Sequence, residues 1–178
     1  MTKRIGCVVL VTVAAAVAVP AVSSAVTTQT TKSTMKLLSG QSFVPNRFLK
    51  SRDRFEKDVY NLRSGTTIKI TTDGPPHLVS VVKKSDQPKT LKPLEICQFG
   101  GGGICSDIFA AHGFPPGEGD PTTPLVNKGA AGFDTVGDSI YIPPGRGKGT
   151  VKLTAAKGKR LYLLCAIHPW MQAKIQTK

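Results

Sequence analysis

The sequence predicts an all-β sandwich, and three observations carry that expectation. Short segments with period-two alternation or a continuous apolar run recur along the 178 residues. Turn signals built from Gly, Pro, Asp and Ser separate them. No sustained helical periodicity is visible, so the strands have to bury their apolar faces against one another.

Taken in order, residues 1–25 read as a secretory signal segment. Lys3 and Arg4 form its basic start, Val8 to Val19 its apolar stretch, and Ser23-Ser24-Ala25 a small-residue cleavage site. The apolar stretch is short for a membrane span and is interrupted at Pro20. Cleavage is therefore expected, with an uncleaved N-terminal anchor as the alternative. Residues 26–40, VTTQTTKSTMKLLSG, are Thr- and Ser-rich and are expected to be a flexible linker. The folded domain then occupies 41–178. In GTTIKITT, residues 65–72, Ile68 and Ile70 share one face. HLVSVV, residues 77–82, is a continuous apolar run between Pro76 and the Lys83-Lys84 pair. DSIYIPPG, residues 138–145, is a strand running into a turn, and TVKLTA, residues 150–155, points Val151 and Leu153 inward. RLYLLC, residues 160–165, places Leu161, Leu163 and Cys165 on one face. Between these groups lies an irregular insertion, about 85–135, with FPPGEGDPTTP as its extreme. A structureless loop of that length is unusual, so it should be functional or tied down. Within it SDIFAAHG predicts one or two helical turns, with Ser106 as N-cap and Gly113 as terminator.

The formal charge is +13, and loss of Lys3 and Arg4 with the signal leaves +11. That excess suits acidic partners and speeds encounter with them. Nucleic acid is not the expected partner, because the basic residues are scattered, no nucleic-acid motif is present, and the chain carries an export signal. No later stretch is long enough to span a bilayer, so the mature chain is expected outside the cytoplasm, secreted or periplasmic, without a membrane span. Of the four cysteines, Cys7 lies in the signal segment. Cys97 and Cys105 bracket QFGGGGI, and in an oxidising compartment they are expected to form a disulfide. Cys165 is then an unpaired thiol in an exported protein, which calls for an explanation.

The explanation begins in CAIHPWM. Cys165, His168 and Met171 form C-x2-H-x2-M. Thiolate, imidazole and thioether in one loop favour copper, and a type 1 copper site needs one Cys and two His near a plane with a weak axial Met. The second histidine must come from His77 or His112. His77 is the expected ligand, since Pro75 and Pro76 deliver it in an extended approach to the end of a buried strand. His112 lies in the Gly/Pro-rich insertion with no such placement. Zinc accepts a Cys/His/His set but has no use for Met171. Haem attachment would need C-x-x-C-H, a binuclear copper centre a second loop cysteine, and a phosphate loop a Lys-Ser/Thr after the glycine run; none is present.

CAIHPWM resembles the ligand loop of the amicyanins, small blue copper proteins of the plastocyanin group, where the loop reads Cys-x-x-His-Pro-aromatic-Met. PPHLVSVV is similar to their Pro-His strand. The likeness covers roughly residues 65–82 and 141–176. It implies a Greek-key cupredoxin sandwich, one type 1 copper ion held by His77, Cys165, His168 and axial Met171, and one-electron transfer rather than enzymatic turnover. His168 would lie nearest the surface, with Pro169, Trp170 and Phe114 around it as an apolar docking patch for an acidic redox partner met transiently. Two departures stand out. Where relatives place Asn after the upstream His and Ser or Thr after the Cys, this chain has Leu78 and Ala166. Two other roles fit the same residues: a copper carrier or sequestering protein, and a cupredoxin-like interaction domain built around the insertion.

Overall fold

Period-two alternation becomes two sheets packed face to face in a computed structural model, which describes residues 31–98, 102–114 and 119–178. The expected signal segment lies outside those residues. Strand β1 (Lys32–Leu38) is followed by a separate hairpin of β2 (Gln41–Val44) and β3 (Phe48–Ser51). Short strands β4 (Arg54–Phe55) and β5 (Val59–Leu62) lead into β6 (Thr67–Thr72) and β7 (His77–Val82). Two helices come next, α1 (Leu91–Gln98) and α2 (Gly103–His112). The chain finishes with β8 (Leu125–Val126), β9 (Ser139–Ile142), β10 (Lys148–Lys152), β11 (Arg160–Cys165) and β12 (Gln172–Thr177).

One sheet runs β10-β6-β1-β4 and the other β5-β12-β11-β7-β9-β8. The connections from β6 to β7, from β9 to β10 and from β10 to β11 each pass between the sheets. The inward residues read from the alternation, Ile68, Ile70, Val151 and Leu153 from one side and Leu163 and Cys165 from the other, meet in one core that Val79 and Val81 of β7 complete. Fully burying each aliphatic side chain contributes about 1.5–3 kcal/mol.

The expected linker is overturned over Lys32–Leu38, which is a core strand. It pairs in parallel with β6, Lys32 opposite Thr67 through Leu37 opposite Thr72, and buries Met35 and Leu37. Two apolar residues among Lys, Ser and Thr are too few to show a period in sequence, yet β-branched Thr fits a half-buried pleat.

The insertion is neither structureless nor remote. Val79 and Val81 face the inter-sheet core, while Leu78 and Val82 face outward into a second cluster with Tyr141, Leu164, Ala166, Cys97, Cys105 and Ile108. The helices therefore cover the outer face of β7, β9 and β11. That is why HLVSVV reads as an unbroken apolar run: all six of its residues are buried. The disulfide forms as expected and joins α1 to α2. Helix α2 starts at Gly103, ahead of the expected Ser106 cap, and ends at Gly113 as expected. Gly113 takes φ 63°, ψ 45° and donates its N–H to the Ala110 carbonyl at 3.1 Å, a left-handed cap that glycine adopts without strain. Helix α1 is unheralded because Pro93 reads as a breaker. It falls in the first turn, where a backbone N–H has no intrahelical partner to lose. Among the described residues, no helix is long and apolar enough to cross a membrane.

Candidate metal centre

Strand β7 starts at His77 and the antiparallel β11 ends at Cys165, so both termini lie at one end of the same sheet. Cys165 stands opposite Val79, and the Ala166 N–H donates to the Leu78 carbonyl at 2.9 Å, extending the ladder past the strand end. The chain then turns back. Met171 N–H donates to the His168 carbonyl at 2.8 Å, and Cys165 N–H donates to the Met171 carbonyl at 3.1 Å. These two bonds close a tight loop whose first and last residues, Cys165 and Met171, both enter the inter-sheet core.

Three donor atoms converge there. Cys165 Sγ lies 3.7 Å from Nδ1 of His77 and 3.7 Å from Nδ1 of His168, and the two Nδ1 atoms are 3.2 Å apart. A point equidistant from the corners of that triangle is about 2 Å from each, and metal–nitrogen and metal–sulfur bonds run roughly 2.0–2.3 Å. The donor set fits one metal ion. His77 Nε2 is buried without a hydrogen-bond partner, so the polar contacts of that ring are confined to its Nδ1 side, where Cys165 and His168 lie. The sequence-assigned His77, Cys165 and His168 are thus brought together. Met171, 1 % exposed, closes the loop that begins at Cys165 and is buried in the inter-sheet core with it.

Electrostatics prepares two of the donors and leaves one to be claimed. Burial first, and then the charge of a protonated His168, push His77 down to about 4 against the opposing pull of Asp53, so its imidazole is neutral at physiological pH. Burial likewise holds His168 below the usual histidine range, against the opposing pull of Asp53. Both rings therefore keep lone pairs for a metal. Burial pushes the Cys165 thiol up to about 11, although the Leu78 N–H, 3.4 Å from the sulfur, works against that shift. Binding must displace this proton, as thiolate coordination always does.

Accessibility differs among the donors. His77 and Cys165 are fully buried, whereas His168 is 7 % exposed and lies nearest the surface, as expected. Trp170 packs edge-on to it with ring centroids 5.3 Å apart. Phe114 does not join them: it packs on Phe109 and Tyr141 in the outer cluster, drawn there by the helix it follows. One neighbour has no sequence signal at all. Asp53, 2 % exposed, places Oδ2 3.9 Å from His168 Nε2, while its carbonyl accepts the Trp170 indole N–H at 3.1 Å. Its carboxylate is held by the Gly40 N–H at 3.2 Å and by the Ser51 hydroxyl. No spacing rule links residue 53 to a loop more than a hundred residues later.

His112 is excluded from the centre by its own bonds. Its Nδ1 is 2.5 Å from the Thr123 carbonyl and its Nε2 2.6 Å from the Ser139 hydroxyl. A carbonyl only accepts, so Nδ1 carries the proton and Nε2 accepts from Ser139. The ring is a buried staple between α2 and β9. Leu78 and Ala166 are both fully buried in the outer cluster, joined by the backbone bond described above.

No protein-family profile matches the chain, and no curated protein does. Among solved structures it is similar to a purple cupredoxin from Nitrosopumilus maritimus, at 10 % identity over 82 % of this chain and 98 % of that one, with a TM-score of 0.42. A reduced auracyanin from Roseiflexus castenholzii aligns at 14 % identity over 84 % and 97 % of the two chains, TM-score 0.41. A cuprous amicyanin variant aligns at 11 % identity over 70 % and 73 %, TM-score 0.34. These superpositions are loose; what the centre can do follows from its own donor atoms.

Proposed function

We propose that this chain is an extracytoplasmic, mononuclear type 1 copper protein that carries single electrons between redox partners and is not an enzyme. The observation that carries the reading is the convergence of Cys165 Sγ and the two histidine Nδ1 atoms on one point, at the start of a loop that closes on buried Met171. Copper held there would supply a one-electron couple, with a weak thioether donor available to tune its potential. The residues would do the rest. Cys165 would give the thiolate, His77 and His168 the two imidazole nitrogens, and Met171 a further soft donor that has no use in a zinc site.

Rigidity supports a shuttle. His77 and Cys165 sit at the ends of paired strands, and the Cys165–Met171 loop is tied by its own backbone bonds. Such donors move little when the charge of a bound ion changes. His168 and the adjoining Trp170 give the route to the surface, and the basic excess of the chain suits acidic partners in brief encounters. Burial of all three donors argues against a carrier, which must open to hand its ion over. An oxidase would need further ligands, and the remaining histidine, His112, is occupied with Thr123 and Ser139. Export rests on the basic and apolar character of residues 1–25.

Cyclic voltammetry of the copper-loaded protein tests the shuttle. A reversible one-electron wave with copper retained over many cycles is expected. Loss of the ion on reduction would favour the carrier instead.

A further inference from the structure

The hairpin β2–β3 contributes none of the three converging donors and has no third strand to pair with among the described residues. A lone two-stranded ribbon is marginal in water. Yet this one exposes Phe43 at 68 %, Leu49 at 70 %, Phe48 at 50 % and Val44 at 36 %, the densest group of exposed large apolar side chains described. Their arrangement is layered. Phe43 pairs with Leu49 and Val44 with Phe48 at the outer end, while Ser42 pairs with Lys50 and Gln41 with Ser51 at the inner end. Arg52 and Arg54 follow at the base, and Arg47 sits in the turn; all four basic side chains are exposed. The one acid in residues 41–54, Asp53, is buried against Ser51 and Gly40, so the outward charge of the segment is wholly positive.

We infer that this hairpin is a membrane anchor that inserts its apolar tip into the interface of an anionic phospholipid bilayer. Phe43 and Leu49 lie on one face of the ribbon and Val44 and Phe48 on the other, since neighbouring residues alternate. A flat protein partner covers one face only, whereas a bilayer interface surrounds the tip. Beneath the turn of Pro45, Asn46 and Arg47, two apolar cross-strand pairs reach about 7 Å at roughly 3.4 Å per residue, within the roughly 5–10 Å to which interfacial elements sink. At that depth Lys50, Arg52 and Arg54 form a collar at the level of the lipid phosphates. Arg47, near the tip, has a stem long enough to bring its guanidinium back to the same level. The base of the hairpin continues into Asp53, which faces His168 and accepts from Trp170. An anchored molecule therefore turns its His168 edge toward the membrane, where electrons would be exchanged with membrane-bound partners. That orientation rests on the copper reading; the lipid binding does not.

Co-sedimentation with unilamellar vesicles tests the anchor. The exported protein should partition onto an equal mixture of phosphatidylglycerol and phosphatidylcholine, far less onto phosphatidylcholine alone, and less as salt rises. The combined Phe43→Ser, Phe48→Ser and Leu49→Ser variant should lose partition more than about tenfold with its far-ultraviolet spectrum unchanged. Cys165→Ser should partition as the parent does, which separates this test from the metal assignment. In a second measurement, the metal-free Phe48→Trp variant should show a vesicle-dependent blue shift beyond that of the parent, whose one tryptophan is Trp170. Equal partition of the serine variant, no added blue shift, hairpin-dependent self-association in place of vesicle binding, or binding to an acidic protein but not to vesicles would each overturn the anchor.

Discussion

Leu78 and Ala166 stand directly beside two of the three converging donors, and both are buried apolar side chains in the outer cluster. The two share that cluster, and the Ala166 N–H donates to the Leu78 C=O, so we expect their side chains to form an apolar tie where the resemblance of CAIHPWM leads one to look for a polar pair. Exchanging both partners of a buried hydrogen bond is close to neutral, whereas one unpaired polar group costs about 1–3 kcal/mol. Leu78→Asn and Ala166→Thr should each destabilise the protein, the second more mildly because a hydroxyl can rotate toward a backbone acceptor. The double variant should recover part of the loss, with a coupling of about 0.5–3 kcal/mol in melts of the four proteins. Strict additivity would mean that the two side chains do not touch. The histidines give a second residue-scale prediction, for the metal-free protein. His77 resists protonation down to about pH 4 when folded but takes up its proton near 6.5 when unfolded. The unfolded chain thus binds more protons between those values, and stability falls as pH drops through that window. His77 alone accounts for about 3 kcal/mol of the loss, and the lowered His168 adds in the same direction. Urea midpoints at pH 7 and pH 4 should show the drop, and His77→Leu should remove much of it. An unchanged slope in that variant would place the pH sensitivity elsewhere.

Among the elements, the insertion has the clearest structural purpose. It roofs the strands that carry His77 and Cys165, and His112 fastens it, with burial keeping the ring neutral despite the Thr123 carbonyl at Nδ1. His112→Phe strips the Thr123 carbonyl and the Ser139 hydroxyl of their partners. Thermal unfolding should report a loss of about 2–4 kcal/mol, while metal binding and the visible spectrum stay as they were. A changed spectrum would mean that His112 reaches the metal after all. Strands β7 and β11 were legible because an unbroken apolar run and a clean alternation each have one physical reading. Strand β1 was not, since Met35 and Leu37 are its only buried apolar residues and its register comes from a parallel partner more than thirty residues on. Helix α1 hid behind Pro93, whose effect depends on where in the turn it falls. Three donors of the centre were legible because ligand chemistry restricts both residue type and spacing. Asp53 was not, because a carboxylate that reaches His168 only through the folded hairpin base leaves no trace along the chain.

At the scale of the whole molecule, two sheets and a helical roof hold three donors together in the core of a strongly basic chain. The account stands or falls on whether the Cys165 thiolate binds copper. That bond alone gives rise to an intense sulfur-to-metal charge-transfer band in the visible range, so the absorption spectrum during copper titration is the most direct measurement. The band should grow until one copper is bound per chain, bleach on reduction, and return on reoxidation. Met171→Leu should keep the band, because an axial thioether is a weak ligand. Cys165→Ser should abolish it in a protein that still folds. A folded native protein that takes up copper without colour, or a band that survives Cys165→Ser, would contradict the assignment.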